Sequence, residues 1–94
     1  MQHYLYIIHS KTVDKFYVGE SPNVINRLDQ HNSHYFKKGF TNITDDWKIV
    51  LSMECKSKDD ALYLEKFIKK MKSKKFILKI IHNPNILDDI LTKR

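Results

Sequence analysis

Two short runs rich in aromatic and β-branched residues, 3–9 and 16–19, flank the polar stretch 10–15. Such runs favour strands, and a connection of about five or six residues makes an antiparallel hairpin the simplest way to pair them. The chain has 94 residues, so it can bury one modest core and no more. The expectation is one domain over 1–94, begun by a hairpin whose one face must be covered by elements later in the chain.

The remainder of the chain reads as helix, loop, strand and helices. Ser21 before Pro22 reads as a helix start running to about Asn32, with the capping residue first and proline at the first helical position. Val24, Ile25 and Leu28 then face the sheet. Residues 32–46 read as a long basic loop carrying Lys37, Lys38, Tyr35, Phe36 and Phe40. Basic and aromatic side chains together suit contact with phosphates and bases; the bland alternative is that Phe36 or Phe40 pins the loop to the core. Residues 47–55 form a third strand. Ser57 caps the next helix, with Asp60 three residues on. Its apolar face is Ala61, Leu64, Phe67, Ile68 and Met71. A dense lysine run, including Lys72, Lys74 and Lys75, leads to a further helix restarted at Ser73 and stopped at Asn83-Pro84. A short amphipathic segment, 86–91, closes the chain. The pattern is α+β, a small three-stranded antiparallel sheet flanked by helices in the order ββαβαα.

Seventeen Lys and Arg against eleven Asp and Glu leave a net charge of +6. A basic surface on a small domain suits a polyanion, most simply nucleic acid, although a solvated lysine-rich surface has the same composition. The lone Cys55 has no partner for an internal disulfide and reads as a small buried strand residue, consistent with a reducing compartment. Residues 1–9 show no basic leader ahead of an apolar stretch, and no apolar run reaches the ~20 residues of a membrane span. A soluble, cytoplasmic protein without membrane contact is the expectation. His3, His9, His34 and His82 match no compact zinc-ligand spacing.

Hydrolysis of a phosphodiester needs an aimed, deprotonated water and neutralisation of the charge that grows on the phosphate oxygens. Residues suited to those tasks are present. Arg27 and His31 are four apart on the first helix, so they share a face beside its apolar stripe. Glu65 lies beside the stripe of the later helix, and Tyr17 near the end of the second strand. The bland readings are equally simple. Arg27 and His31 would be solvated boundary residues, Glu65 would pair with Lys69 at i+4, and Tyr17 would be an ordinary strand aromatic.

Taken together, these residues resemble a known pattern. Tyr4-Leu5-Tyr6, then Tyr17-Val18-Gly19 after a short hairpin, look like the paired tripeptides that name the GIY-YIG nucleases. Arg27 stands eight residues after Gly19 and His31 four later, with Glu65 on a distant helix, in the family's order. The stretch 16–32, the loop 37–41, Asp46-Trp47 and the lysines after Glu65 are similar to the small stand-alone bacterial members, which are like the N-terminal domain of the excision-repair nuclease. The resemblance spans about residues 3–80.

It implies a metal-dependent DNA endonuclease of structure-selective or weak sequence specificity. Tyr6 would line the site. Tyr17 would be the general base, helped by a hydrogen bond from His31, because a free tyrosine titrates near pH 10. Gly19 would let the backbone pass close to substrate. Arg27 would bind the scissile phosphate. Glu65 would be the one protein ligand of Mg²⁺ or Mn²⁺. Lys37, Lys38, Lys72, Lys74 and Lys75 would contact DNA backbone. A protein partner or a homodimer would have to supply strong sequence specificity, and repair, recombination, restriction and mobile-element roles all stay open. The chain departs from the pattern at Glu20, where several relatives carry lysine or a neutral residue, and in offering no match for the asparagine that many members place in the helix after the glutamate. Those departures suit the alternative, a catalytically inactive nucleic-acid-binding module on the same fold.

Overall fold

The computed structural model describes residues 2–94. Strands β1 (His3–Ser10) and β2 (Lys15–Ser21) form the expected hairpin, and β3 (Lys48–Cys55) pairs with the other edge of β1. The sheet order is β2-β1-β3, antiparallel throughout. Between β1 and β3 the register slips, Ile7 opposing Leu51 and Ile8 opposing Ile49. Val50 is the extra residue of this bulge and stands 38% exposed.

Because β1 is central, both of its faces are covered. Leu5 and Ile7 point to one side and pack with Val18, Leu51, Ala61, Leu64, Ile68, Ile80 and Leu87. Tyr6 and Ile8 point to the other and pack with Val24 and Trp47. This is why residues 5–8 are all buried and read as a continuous apolar run rather than a clean alternation. Each fully buried Leu or Ile contributes roughly 1.5–3 kcal/mol, so the strand that carries Tyr6 is also the most firmly held.

The larger face is covered by α2 (Lys58–Met71), α3 (Lys74–His82) and α4 (Asn85–Thr92). The Ser57 hydroxyl accepts from the Asp60 N–H and the Ser73 hydroxyl from the Phe76 N–H, so both expected caps form. Lys72 ends α2 in the left-handed conformation, φ 49° and ψ 42°. The terminal amphipathic segment is itself a helix, which makes the order ββαβααα. On α2, Ala61, Leu64 and Ile68 are buried, but Met71 is 48% exposed because the helix ends there, beyond the sheet.

The smaller face is covered by α1 (Val24–Asn32) and a 3₁₀ turn, Phe40–Ile43. Here the expected helix start shifts. Ser21 remains in β2, opposite Tyr4, and the cap is Asn23, whose side chain accepts from the Asn26 N–H. Starting at Val24, the inward stripe runs through Val24, Leu28 and His31 at i, i+4 and i+7. Ile25 falls off it and is 71% exposed.

The long loop is tied at its ends. Asn32 donates to the Trp47 carbonyl at 3.0 Å and accepts from the Trp47 N–H at 2.8 Å. The Asp46 carboxylate accepts from Ser10, Thr12 and Thr44 hydroxyls, which hold it well below the usual carboxylate range. Cys55 is buried, and burial pushes its thiol up, as suits an unreactive core residue. Among the described residues no helix is long and apolar enough to cross a membrane.

Candidate active site

The site is built outward from Tyr6. Its ring lies across Gly19 of the neighbouring strand, where a Cβ would sit 2.5 Å from Oη and 2.6 Å from Cζ. Gly19 is buried and its φ is not in the left-handed region. The missing side chain makes room for the Tyr6 ring, a packing role beside the close approach to substrate expected of it.

So placed, the Tyr6 hydroxyl meets His31 Nε2 at 2.8 Å, and His31 Nδ1 meets the Thr41 hydroxyl at 2.7 Å. The Trp47 indole N–H donates to the Thr41 carbonyl at 2.8 Å, so the loop partner is itself fixed. His31 is only 3% exposed; it is neither a boundary residue nor the hydrogen-bond partner of Tyr17, whose ring centroid lies 5.0 Å away. Burial, with the Arg27 charge adding to it, pulls the His31 imidazole down to about 4. At neutral pH it is uncharged, with one nitrogen donating and the other accepting. Burial also pushes the Tyr6 phenol well above its ordinary value, the nearby Tyr17 adding to the effect. Tyr6 therefore keeps its proton and positions His31.

Above this floor, Tyr17, Arg27 and His31 line one cleft of about 160 Å³, with Phe36, Phe40 and Thr41. Arg27 projects from α1 with its guanidinium carbon 5.7 Å from the Phe36 ring centroid, a contact that holds a long side chain without neutralising it. Among the described residues it enters no ion pair. An arginine with free donors in a cleft that Tyr17 also lines can receive a phosphate bidentately.

Glu65 is not in this cleft. It stands on the α2 side of Tyr17, 19% exposed, with Lys69 Nζ at 2.6 Å from Oε2. The same ammonium lies 5.1 Å from the Tyr17 ring centroid. Lys69 thus lies against both the acid and the tyrosine ring, where the sequence suggests only a bland partner of Glu65. Beyond it a groove of about 430 Å³ is lined by Tyr17, Lys15, Lys69, Lys72 and Lys74. Lys74 is partly engaged, 2.6 Å from Asp14 of the hairpin turn. Lys75 is exposed but does not line the groove, and Lys37 and Lys38 are exposed on the loop beside the other cleft.

Among the described residues no group of three or more His, Cys, Asp or Glu could hold a metal. One carboxylate of modest exposure fits a hard cation that keeps most of its water, as Mg²⁺ does, and fits zinc poorly. Glu20 holds its carboxylate against His3 Nδ1 at 2.8 Å. Thr41 is the site residue that sequence reasoning missed. A threonine ten positions from His31 in an irregular loop carries no local signal.

The GIY-YIG catalytic-domain family matches residues 2–77. No curated protein matches the chain. Among solved structures, the solution NMR structure of the UPF0213 protein from Bacillus halodurans is similar, with a TM-score of 0.55 and 24% identity over 87% of this chain and 84% of that one. That likeness concerns the fold.

Proposed function

Because the chain belongs to the GIY-YIG family of catalytic domains, we propose that it is a divalent-metal-dependent DNA endonuclease, structure-selective or weakly specific for sequence. The observation that supports this most is the grouping around Tyr17. Arg27 and His31 share its cleft, and Lys69, the ion-pair partner of Glu65, lies against its ring. A module that only bound DNA would need the lysines but not a buried tyrosine–histidine pair beneath a second tyrosine.

In this reading Arg27 holds the scissile phosphate by two N–H donors and stabilises the charge that develops on its oxygens. Tyr17, after giving its own proton to solvent, would take the proton of the attacking water as the phenolate. His31, held from both nitrogens, keeps the floor of the cleft fixed, and Tyr6 keeps His31 in place. Glu65 would hold Mg²⁺ or Mn²⁺, whose positive charge would acidify the water and stabilise the leaving oxygen. Lys15, Lys69, Lys72 and Lys74 would carry the DNA backbone through the adjoining groove by charge, without reading sequence.

The test is a cleavage assay on supercoiled plasmid and on flapped and branched oligonucleotides, in Mg²⁺, Mn²⁺ and EDTA, with Tyr17→Phe and Glu65→Ala alongside. Metal-dependent nicking lost in both variants is expected. Folded protein that binds DNA and cuts nothing in either metal would overturn the nuclease reading in favour of an inactive binding module.

A further inference from the structure

The walls of the Arg27 cleft are aromatic to a degree that phosphate chemistry does not require. Tyr17 and Phe40 are near-parallel, 18° apart, with centroids 6.4 Å from each other. Phe36 closes a third side, 5.1 Å from the His31 ring centroid. Phe36 is half-buried and pins the loop, but Phe40 is 50% exposed. Its other ring neighbour is Trp47, at 6.4 Å and 46°. A phenylalanine left half in water is not there for the core, and its loop is firmly anchored through Asn32, Trp47 and Asp46. The ring is therefore presented rather than merely unburied.

From this geometry we infer that the Tyr17–Phe40 pair, itself in aromatic contact, offers the exposed face of Phe40 as a slot at the mouth of the Arg27 cleft that receives one unpaired nucleobase of the substrate strand, next to the phosphate held by Arg27. The inference rests on the nucleic-acid reading above and narrows it to substrates with a single-stranded nucleotide at the cut. Aromatic faces stack on any base, because every base has a π-face, so the slot selects for strand state and not for sequence. Bases of an intact duplex are already stacked and paired; extracting one costs energy that a flap, gap or single strand does not demand. The lysine groove on the far side of Tyr17 would carry the neighbouring backbone.

The test is binding in EDTA, so that it is independent of cleavage. A labelled single-stranded oligonucleotide and its duplex are titrated by fluorescence anisotropy against wild type, Phe40→Ala and Phe40→Trp. A second single strand carries 2-aminopurine, whose emission is quenched by stacking. Wild type should prefer the single strand and quench the probe. Phe40→Ala should weaken single-strand binding roughly 5- to 100-fold, leave duplex binding unchanged and abolish quenching, and Phe40→Trp should restore both. Equal affinity for the two strand states, or single-strand binding and quenching indifferent to Phe40→Ala, would overturn the inference. The two readings fail separately. Phe40-dependent stacking with no cleavage in any metal retains the slot and removes the nuclease; metal-dependent cleavage by a protein without that stacking does the reverse.

Discussion

Tyr6 and Gly19 occupy one volume across adjacent strands, the phenol filling the space where a Cβ would lie 2.5 Å from its oxygen. Gly19→Ala must therefore displace the ring and with it the contact to His31. Overpacking of this kind costs about 1–3 kcal/mol, and each kcal/mol lowers the melting temperature of a domain this size by roughly 4–8 °C. Thermal denaturation followed by circular dichroism should show that loss. An alanine variant melting with wild type would show that the ring relaxes freely.

His31 is buried neutral, its imidazole pulled from an ordinary 6.5 down to about 4. The unfolded chain takes up the proton first as pH falls. The stabilisation is complete above about 6.5 and is lost as pH falls from there through about 4. The full effect is on the order of 3 kcal/mol. Urea melts between pH 7.5 and 4 should show this decline, and it should flatten in His31→Gln. A decline of the same slope in that variant would assign it to other groups.

Among the described residues Arg27 has no acidic partner, so removing it should touch chemistry far more than stability. Arg27→Ala should lower kcat about 10²–10³-fold, the loss typical of one transition-state donor, with a melting temperature close to wild type. Arg27→Lys should rescue little, because an ammonium cannot grip phosphate bidentately. Single-turnover cleavage measures both, and full activity in the lysine variant would argue against the bidentate grip.

Lys69 neutralises Glu65 at 2.6 Å, so it competes with any cation for the carboxylate. Lys69→Met should tighten Mn²⁺ binding several-fold by isothermal titration, and Glu65→Gln should abolish it. The stability change should stay within about 0.5 kcal/mol, as for an i,i+4 helix pair. Unaltered Mn²⁺ affinity in Lys69→Met would place the ion elsewhere.

The hairpin, β3 and the caps at Ser57 and Ser73 are legible in the sequence because each is decided within a few residues. The start of α1 is not. Ser21-Pro22 is a good local signal, but Ser21 is held in the ladder opposite Tyr4, and Asn23 caps instead. That shift rotates the helix, puts Ile25 into solvent and carries His31 inward. The site is legible as a set of residues and not as a geometry. His31 can be placed near Tyr6 and Tyr17, yet its choice of Tyr6 depends on the glycine across the strand and on Thr41, contacts that arise only once the loop closes. Lys69 and Phe40 are visible as a bland ion pair and a loop aromatic; their relation to Tyr17 is wholly tertiary.

The left-handed Lys72 at the end of α2 sets a lysine where glycine would rest without strain, at a penalty of roughly 1–2 kcal/mol. In a domain whose whole stability is on the order of 5–15 kcal/mol, that is a real sacrifice, and the residue left in the strained position is a cation facing the groove. Robustness and grip on a polyanion thus pull in opposite directions at one backbone position. Lys72→Gly should melt higher while its DNA affinity becomes less sensitive to salt, by about one unit of the log–log slope. A hardier protein would hold its substrate less firmly.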